Sequence, residues 1–260
     1  MQFSHKKSLG QNFIHDEGFL SSIVKDLRIS AGDTIVEIGT GAGTLTRVLA
    51  RKAKRVITYE IDTRLQQTLE KRLDGFDNIE LHFADAMKVT DFPIEFKLVA
   101  NIPYYITTPL ILKFLAIDAC REICVLVQDD VAYRIVARPG GKDYGALSVT
   151  IQAQAECRLV RHVSRTLFKP IPNVDSEFVH IIKTPVTNAT PPLKKGELDR
   201  LVKGMFGARR KTALNALKQT FALDTDTARK ILADCGIDEN IRPENISVDK
   251  YIELSRTLVR

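Results

Sequence analysis

The sequence lacks any apolar run long enough to cross a membrane. A transmembrane helix needs about 18 or more consecutive apolar residues, and the 260 residues contain no such stretch. The N-terminal segment includes His5, Lys6 and Lys7 but no apolar region, so it resembles neither a secretory signal nor an Arg/Ser-rich transit peptide. We therefore expect no membrane contact and a cytoplasmic protein.

Cysteine is scarce and poorly placed for metal binding. The four cysteines are Cys120, Cys124, Cys157 and Cys235, with no C-x-x-C pair and no His at zinc-finger spacing. Buried free thiols are a better interpretation than zinc ligands. A disulfide framework would be unusual in a chain of this length without an export signal. We expect neither a metal nor a disulfide.

The amino-acid composition is typical of a folded, soluble chain. Hydrophobic residues make up 44% of the sequence and charged residues 27%, which fits a packed core under a charged surface. The length fits one large domain with a small one. The net charge of +6 is only a weak indication of a polyanionic partner.

The distribution of the basic residues is a stronger indication of a partner than the net charge. Between residues 194 and 211, only Glu197 and Asp199 oppose a concentration of basic side chains. These are Lys194, Lys195, Arg200, Lys203, Arg209, Arg210 and Lys211. Charge alone favours two interpretations equally: a solvated helix face, or a surface that contacts nucleic-acid phosphates.

Apolar runs alternate with amphipathic stretches over the first half of the chain. Val- and Ile-rich runs at 33–38, 55–60, 79–84, 97–101 and 122–127 predict strands, and helical spacing at 44–53, 63–73 and 108–117 predicts the helices between them. Such alternation predicts an α/β fold with a parallel sheet covered on both faces. A further helix is expected over 16–29, with Asp16 as its N-cap.

The second half of the chain changes character. Residues 128–137 look helical, 145–156 are ambiguous between helix and strand, and 157–163 and 177–183 predict late strands. The Pro-, Thr- and Lys-rich stretch 184–196 is the best linker candidate, and only helical patterns follow it. We expect a large domain over residues 1–185 and a small helical domain over 186–260.

A glycine-rich turn follows the first predicted strand of the sheet. Gly39, Gly41 and Gly43 stand at alternate positions, which lets the backbone turn tightly and approach a ligand. Ligands of open α/β sheets bind at the carboxyl ends of the strands. Two acids end the next strands: Glu60, which can accept from ribose hydroxyls, and Asp85, which can accept from an adenine amine.

Each of these acids has a simpler interpretation as a helix cap. Three strand ends in register nevertheless favour a nucleoside site. A NAD-dependent enzyme remains an alternative at this point, weakened because the dinucleotide spacing G-x-G-x-x-G is missing.

Asn101-Ile102-Pro103-Tyr104 follows the fourth predicted strand of the sheet. An adenine N6 amine is a poor nucleophile because its lone pair is delocalised into the ring. The amide oxygen of Asn101 and a nearby backbone carbonyl can accept its N–H groups and favour the rehybridised nitrogen of the transition state. Pro103 fixes the turn, and Tyr104 offers a ring on which the base can stack. The alternative is a polar turn with a packed Tyr.

Together these motifs resemble the rRNA adenine N6,N6-dimethyltransferase family, most closely its small-subunit KsgA branch. Residues 6–14 (KKSLGQNFI) look like the family's N-terminal motif, which closes over the methionine part of the cofactor, S-adenosylmethionine. The product would be S-adenosylhomocysteine. The cofactor-binding residues that we expect are Gln11, Asn12, Ile14, Gly39, Gly41, Glu60, Asp85 and Asn101. The catalytic residues that we expect are Asn101, Tyr104 and Phe168.

Phe168 enters this list only through the resemblance. Residues 168–176 (FKPIPNVDS) resemble the family's F-x-P-x-P-x-V-x-S loop, which implies that Phe168 is a second aromatic wall for the target adenine. Without the resemblance, a core Phe is the better interpretation. Two mild departures are Tyr105, where Asn is common, and Thr40, where Pro is common.

The resemblance to the small-subunit branch depends on residues 144–149, 206–217 and 242–254, which look like the corresponding segments of the small-subunit enzymes. The resemblance implies two methyl transfers to each of two adjacent adenosines in the 3′-terminal hairpin loop of 16S rRNA, with a role in small-subunit biogenesis. It also implies a seven-stranded Rossmann-like methyltransferase sheet in which 145–156 is a helix. The partner would be rRNA in the small ribosomal subunit or its precursor. The RNA-binding residues would be Arg134, Arg138, Lys194, Lys195, Lys203, Arg209, Arg210 and Lys211.

Three alternatives remain at this point. The nearest is a large-subunit rRNA dimethyltransferase of the macrolide-resistance type. A DNA adenine methyltransferase would share the Asn101 chemistry, although the C-terminal domain is short for reading a DNA sequence. The third is an RNA-binding assembly factor in which catalysis is secondary. Nothing in the sequence suggests more than a monomer.

Overall fold

The structure, a computed structural model, describes residues 12–184 and 195–258. The strands are β1 (Phe13–Ile14), β2 (Thr34–Ile38), β3 (Arg55–Glu60), β4 (Ile79–Phe83), β5 (Phe96–Asn101), β6 (Cys120–Gln128), β7 (Ala155–Val163), β8 (Phe168–Lys169) and β9 (Ser176–Lys183). The helices are α1 (Glu17–Asp26), α2 (Thr44–Ala50), α3 (Gln66–Leu73), α4 (Thr107–Leu115), α5 (Asp129–Val136), α6 (Ala146–Gln152), α7 (Lys195–Gly207), α8 (Ala213–Phe221), α9 (Thr225–Asp234) and α10 (Val248–Thr257).

Seven strands form one sheet in the order β4-β3-β2-β5-β6-β9-β7. The pairs β3–β4, β2–β3, β2–β5 and β5–β6 are parallel, as the alternating pattern predicted. The pair β6–β9 is antiparallel; β9 lies outside residues 33–127, for which the parallel sheet is expected. Between β6 and β9 the chain passes through α5, α6, β7 and β8, and β9 then runs antiparallel to β6.

The ends of the elements follow the local chemistry of the sequence. The side chain of Asp16 accepts from the backbone N–H of Phe19 at 2.9 Å and caps α1, which confirms the predicted N-cap. The ambiguous segment 145–156 forms α6 and then enters β7 at Ala155. Its dual pattern reflects a helix and a strand in close succession.

The core of the sheet unit contains Phe168. Residues 12–132 and 158–183 form this compact unit. A short ladder pairs β1 with β8 and sets Ile14 opposite Phe168. The ring of Phe168 has no exposed surface and belongs to a cluster that includes Ile14, Leu20 and Phe178.

Residues 133–157 and the described part of 184–258 form a second compact unit. Two buried tyrosines bond to backbone within it: the Tyr144 hydroxyl donates to the Ile246 carbonyl and the Tyr251 hydroxyl to the Pro243 carbonyl, each at 2.9 Å. The predicted boundary at residues 185/186 divides the sequence into two continuous domains, and it stays a prediction. The compact unit differs from it because the segment that includes α6 packs with the C-terminal helices.

The four cysteines are free thiols, and three of them are buried. No helix within residues 12–184 and 195–258 is long and apolar enough to span a membrane.

Replacing Phe168 by Ala is expected to lower the free energy of unfolding by about 3–5 kcal/mol, because it leaves a cavity in the core. Urea denaturation measures this change. The exposed Ile94, whose side chain is 97% accessible, provides the control, and Ile94→Ala should change stability by less than about 0.5 kcal/mol. Equal, small effects of both substitutions would contradict a core role for Phe168.

Candidate active site

The turn after β2 is held in a backbone conformation that glycine adopts easily. Gly39, Gly41 and Gly43 have φ values of 83°, 55° and 72°, in the left-handed region that disfavours side chains. Space is also restricted: a Cβ on Gly41 would lie 2.5 Å from the Phe13 ring, and one on Gly39 would lie 3.3 Å from the Asn101 carbonyl. The glycines therefore let this turn approach both the N-terminal strand and the Asn101 segment.

Glu60 fastens this turn to the end of β3. Its side chain is 3% exposed, and its two carboxylate oxygens accept from the backbone N–H groups of Gly41 and Asp62, each at 2.8 Å. Burial raises the pKa of Glu60, and the backbone hydrogen bonds oppose that rise. Each oxygen has a second lone pair, so the carboxylate can also accept from the hydroxyls of a ribose.

A second buried acid, Glu37, lies beneath the turn. Its Oε2 accepts from the hydroxyls of Thr46 and Thr58 at 2.6 and 2.8 Å, and Thr58 is 2.7 Å from the hydroxyl of Thr40. Burial raises the pKa of Glu37 to about 8, so the side chain is largely neutral at pH 7. The network connects β2, β3 and α2 around a protonated carboxyl group.

The segment after β4 brings Asp85 to the same edge of the sheet. Asp85 Oδ1 accepts from the Met87 N–H at 2.9 Å. Within the described chain, no donor is assigned to Oδ2. The carboxylate lies on the cavity wall, where it can accept from an amine.

The side-chain amide of Asn101 is oriented by the N-terminal segment. Its Nδ2 donates to the backbone carbonyl of Asn12 at 3.1 Å. With Nδ2 engaged in this way, Oδ1 is the atom available to accept a hydrogen bond from a ligand. The contact joins residues 89 positions apart in sequence, so the site forms only when the chain before β1 packs against the end of β5.

Tyr104 lies in a 3-10 turn just after Asn101. Its hydroxyl is 2.8 Å from the Ser176 hydroxyl, and Ser176 is fully buried at the start of β9. Burial raises the pKa of Tyr104, so the phenol is neutral at ordinary pH. This hydrogen bond holds the hydroxyl end of the ring in place.

These residues surround one cavity of about 290 Å³. Its lining includes the predicted residues Asn12, Ile14, Gly39, Gly41, Glu60, Asp85, Asn101 and Tyr104. Gln11, the remaining predicted cofactor residue, lies outside the described part of the chain. The structure therefore gathers residues from four strand ends and the N-terminal segment, as expected from their positions.

Phe168 does not line this cavity. The expectation that it forms a second aromatic wall stays a prediction; its ring is completely buried in the core, and it lies in β8, which pairs with β1. Its position instead supports the short strand that follows Asn12. A core Phe was the interpretation favoured by the residues alone.

Several cavity residues were missed from the sequence. Phe13, Ile61, Met87 and Tyr105 all line the cavity, and the last three are 56%, 36% and 64% exposed. Each lies within two positions of a predicted residue, and this proximity is the signal that was available. Their apolar side chains give the cavity flat or flexible walls suited to a base.

The second unit carries the predicted RNA-binding side chains that are described. Arg134, Arg138, Lys203, Arg209, Arg210 and Lys211 are exposed. Lys194 and the side chain of Lys195 lie outside the described residues. Arg209 pairs with Glu244 at 3.1 Å, whereas Arg210 and Lys211 line a shallow depression with Lys218.

One group of possible metal ligands occurs among the described residues. Asp129, His162 and Glu177 offer atoms within 4.8 Å of one another. His162 Nδ1 is 3.0 Å from Glu177, and its Nε2 is 3.7 Å from Asp175. Hydrogen bonding and charge pairing account for this arrangement, and the expectation that no metal is needed stays a prediction.

Comparisons with known proteins give a consistent result. A family model described as ribosomal RNA adenine dimethylase matches residues 2–259. The ribosomal RNA small subunit methyltransferase A of Clostridioides difficile (strain 630) is 40% identical, over 98% of this chain and 91% of that protein. Its namesake from Moorella thermoacetica is also 40% identical, over 97% of this chain and 92% of that protein.

Solved structures are similar over nearly the whole chain. A dimethyladenosine transferase from Plasmodium falciparum has a TM-score of 0.81 at 26% identity, covering 93% of this chain and 95% of that one. The 23S rRNA methyltransferase ErmE has a TM-score of 0.73 at 26% identity, covering 96% of this chain and 100% of that one. These similarities confirm the predicted Rossmann-like methyltransferase fold.

Replacing Glu37 by Gln is expected to weaken the pH dependence of stability. The folded chain keeps a proton on Glu37 up to about pH 8, whereas the ordinary value for an unfolded Glu is 4.5. Between pH 4.5 and about pH 8 the folded state therefore binds more protons than the unfolded state. This group therefore makes the free energy of unfolding fall with rising pH, by up to about 1.4 kcal/mol per pH unit.

Urea denaturation at several pH values between about 5 and 8 measures this effect. The Gln variant should gain stability relative to the wild type as the pH rises. Glu80→Gln is the control: hydrogen bonding to Arg55 lowers the pKa of Glu80, so its contribution is already constant in this range. A constant difference between wild type and Glu37→Gln would contradict a neutral Glu37.

Proposed function

The chain belongs to the ribosomal RNA adenine dimethylase family, and on that basis we propose that it transfers methyl groups from S-adenosylmethionine to the N6 amine of adenosines in small-subunit rRNA. The observation that carries the proposal is the orientation of Asn101, whose Nδ2 is engaged by the Asn12 carbonyl at 3.1 Å. Its Oδ1 is thereby available to an amine at the edge of a nucleoside-sized cavity.

The cavity residues fit this cofactor. Glu60 receives the ribose hydroxyls, Asp85 accepts from the adenine amine, and the glycine turn leaves room for close approach of the ligand to the backbone. Asn12 and Ile14 of the N-terminal segment close the methionine end. When bound, S-adenosylmethionine supplies an electrophilic methyl group that is activated by the positive charge on its sulfur.

Asn101 prepares the target nitrogen for attack. Its Oδ1 accepts one N–H of the amine and favours the pyramidal nitrogen of the transition state over the planar amine. A carboxylate would not be needed here, because the proton on nitrogen would become acidic once the methyl group had left the sulfur for the nitrogen, and water would take that proton up. Tyr104, whose hydroxyl is held by Ser176, would stack on the base and limit the movement of its amine.

The small-subunit target follows from the relatives named as small-subunit methyltransferases, which match this chain at 40% identity. We place the reaction on two adjacent adenosines of the 3′-terminal hairpin loop, each dimethylated, during small-subunit biogenesis. Unstacked loop bases enter a pocket at low cost. ErmE, at 26% identity, makes the large subunit the competing target.

The exposed basic residues of the second unit are proposed to contact rRNA phosphates. Those described are Arg134, Arg138, Lys203, Arg209, Arg210 and Lys211. Phosphate contacts are independent of base sequence and weaken with salt, so they supply affinity while the cavity selects the base. We keep residues 1–185 as the proposed catalytic domain and 186–260 as the proposed RNA-contacting domain, with Arg134 and Arg138 as further RNA contacts outside it. The enzyme is proposed to be cytoplasmic and monomeric.

Transfer of labelled methyl groups to three substrates tests the function. Purified unmethylated small subunits, large-subunit RNA and duplex DNA are incubated with the protein and S-adenosylmethionine. We expect N6,N6-dimethyladenosine in small-subunit RNA alone. Asn101→Ala should abolish it, whereas Asn240→Ala, which changes an exposed Asn outside the cavity, should have no effect.

Each other result of this experiment would contradict the proposal and favour a particular alternative. Label in large-subunit RNA would move the target to that subunit. Label in DNA would indicate a DNA adenine methyltransferase. No label in any substrate, with cofactor binding retained, would favour an RNA-binding assembly factor.

A double-mutant cycle tests how Tyr104 is oriented. Tyr104→Phe and Ser176→Ala remove the two sides of one hydrogen bond. Each should lower kcat/KM for RNA about 2- to 10-fold, the range expected for one neutral hydrogen bond, and leave cofactor affinity unchanged. The double variant should be no worse than either single variant. Multiplicative losses would contradict a shared role.

A further inference from the structure

Lys113 holds the backbone of the segment that follows β4. From its position on α4, the Nζ atom donates to the carbonyl oxygens of Ala86, Met87 and Val89 at 2.8, 2.9 and 2.5 Å. An ammonium group has three donors, and here all three serve one short stretch of chain. The charge also lies 5.6 Å from the centre of the Phe92 ring.

This stretch of chain has little other regular structure to support it. No helix or strand is found between the end of β4 at Phe83 and the start of β5 at Phe96. Backbone carbonyls gathered around one ammonium replace the ladder hydrogen bonds that a strand would supply. The conformation of residues 86–89 therefore depends on a side chain from another element.

Asp85 is directly coupled to the carbonyls that Lys113 holds. Its Oδ1 accepts from the Met87 N–H, and its own carbonyl accepts from the Lys88 N–H, each at 2.9 Å. The carboxylate is also close enough to Lys113 to oppose the lowering of the lysine pKa by burial. A shift of residues 86–88 would therefore move the Asp85 carboxylate within the cavity.

We propose that Lys113 is a positioning residue that gives the cofactor site its selectivity for adenine, by fixing the Asp85 carboxylate where it accepts from the exocyclic amine. This inference rests on the proposed function, because it takes an adenosyl cofactor as the ligand. Lys113 itself does not line the cavity and acts through Asp85. Its helix, α4, begins just after the Asn101–Tyr104 turn.

Equilibrium binding of two ligands tests the role of Lys113. The ligands are S-adenosylhomocysteine and its inosine counterpart, in which oxygen replaces the exocyclic amine. Calorimetry on the full chain should give the wild type a preference for the adenine ligand of about 10- to 100-fold, the range of one hydrogen bond to a charged group. Lys113→Met keeps the apolar stem and should reduce this preference to about threefold or less.

Lys183→Met is the matched control. Lys183 also donates to a backbone carbonyl, that of Ile117 at 2.8 Å, and burial likewise lowers its pKa, but it does not line the cavity. This variant should keep the wild-type preference. Lys113→Arg, which retains donors and charge, should recover part of the preference and provides a second measurement if the Met variant does not fold.

Two results separate a positioning role from a merely structural one. In an Asp85→Ala background, adding Lys113→Met should change affinity by less than about twofold, because the residues act in series. Equal loss of affinity for both ligands, or an unchanged preference, in Lys113→Met would overturn the role of Lys113. A wild-type protein that binds neither ligand would instead overturn the proposed function, and with it this inference.

Discussion

Parallel pairing of β4, β3, β2 and β5 brings four strand ends to one edge of the sheet. Each of these ends carries one part of the site: the glycine turn, Glu60, Asp85 and Asn101. These groups would not meet without the register of the sheet, because successive ones are separated by 16 to 25 positions in sequence. The buried Glu37 and Glu60 then fix the turn by hydrogen bonds to neighbouring strands.

The N-terminal segment adds further contacts to the site at the edge of the sheet. Asn12 accepts from Asn101, and the Phe13 ring covers Gly41. This segment is anchored through the β1–β8 ladder and the buried ring of Phe168. The orientation of the Asn101 amide therefore depends on the packing of core residues that are distant in sequence.

The sequence predicted most of the cavity, because strand ends in an α/β fold are readable from apolar runs and turn residues. Glu60, Asp85 and Asn101 could be assigned in this way. Two features could not be predicted. The antiparallel pairing of β9 depends on long-range contacts rather than on a local pattern. Lys113 carried no motif, because its partners are backbone carbonyls whose positions only the folded chain defines.

The most direct test is a structure of the protein with S-adenosylhomocysteine and adenosine bound. The account predicts that the N6 amine of the adenosine lies at hydrogen-bonding distance, about 2.7–3.2 Å, from Asn101 Oδ1, with its base stacked on Tyr104 and Asn101 Nδ2 still donating to the Asn12 carbonyl. An amine that instead contacts other groups, or an Asn101 released from Asn12, would contradict it.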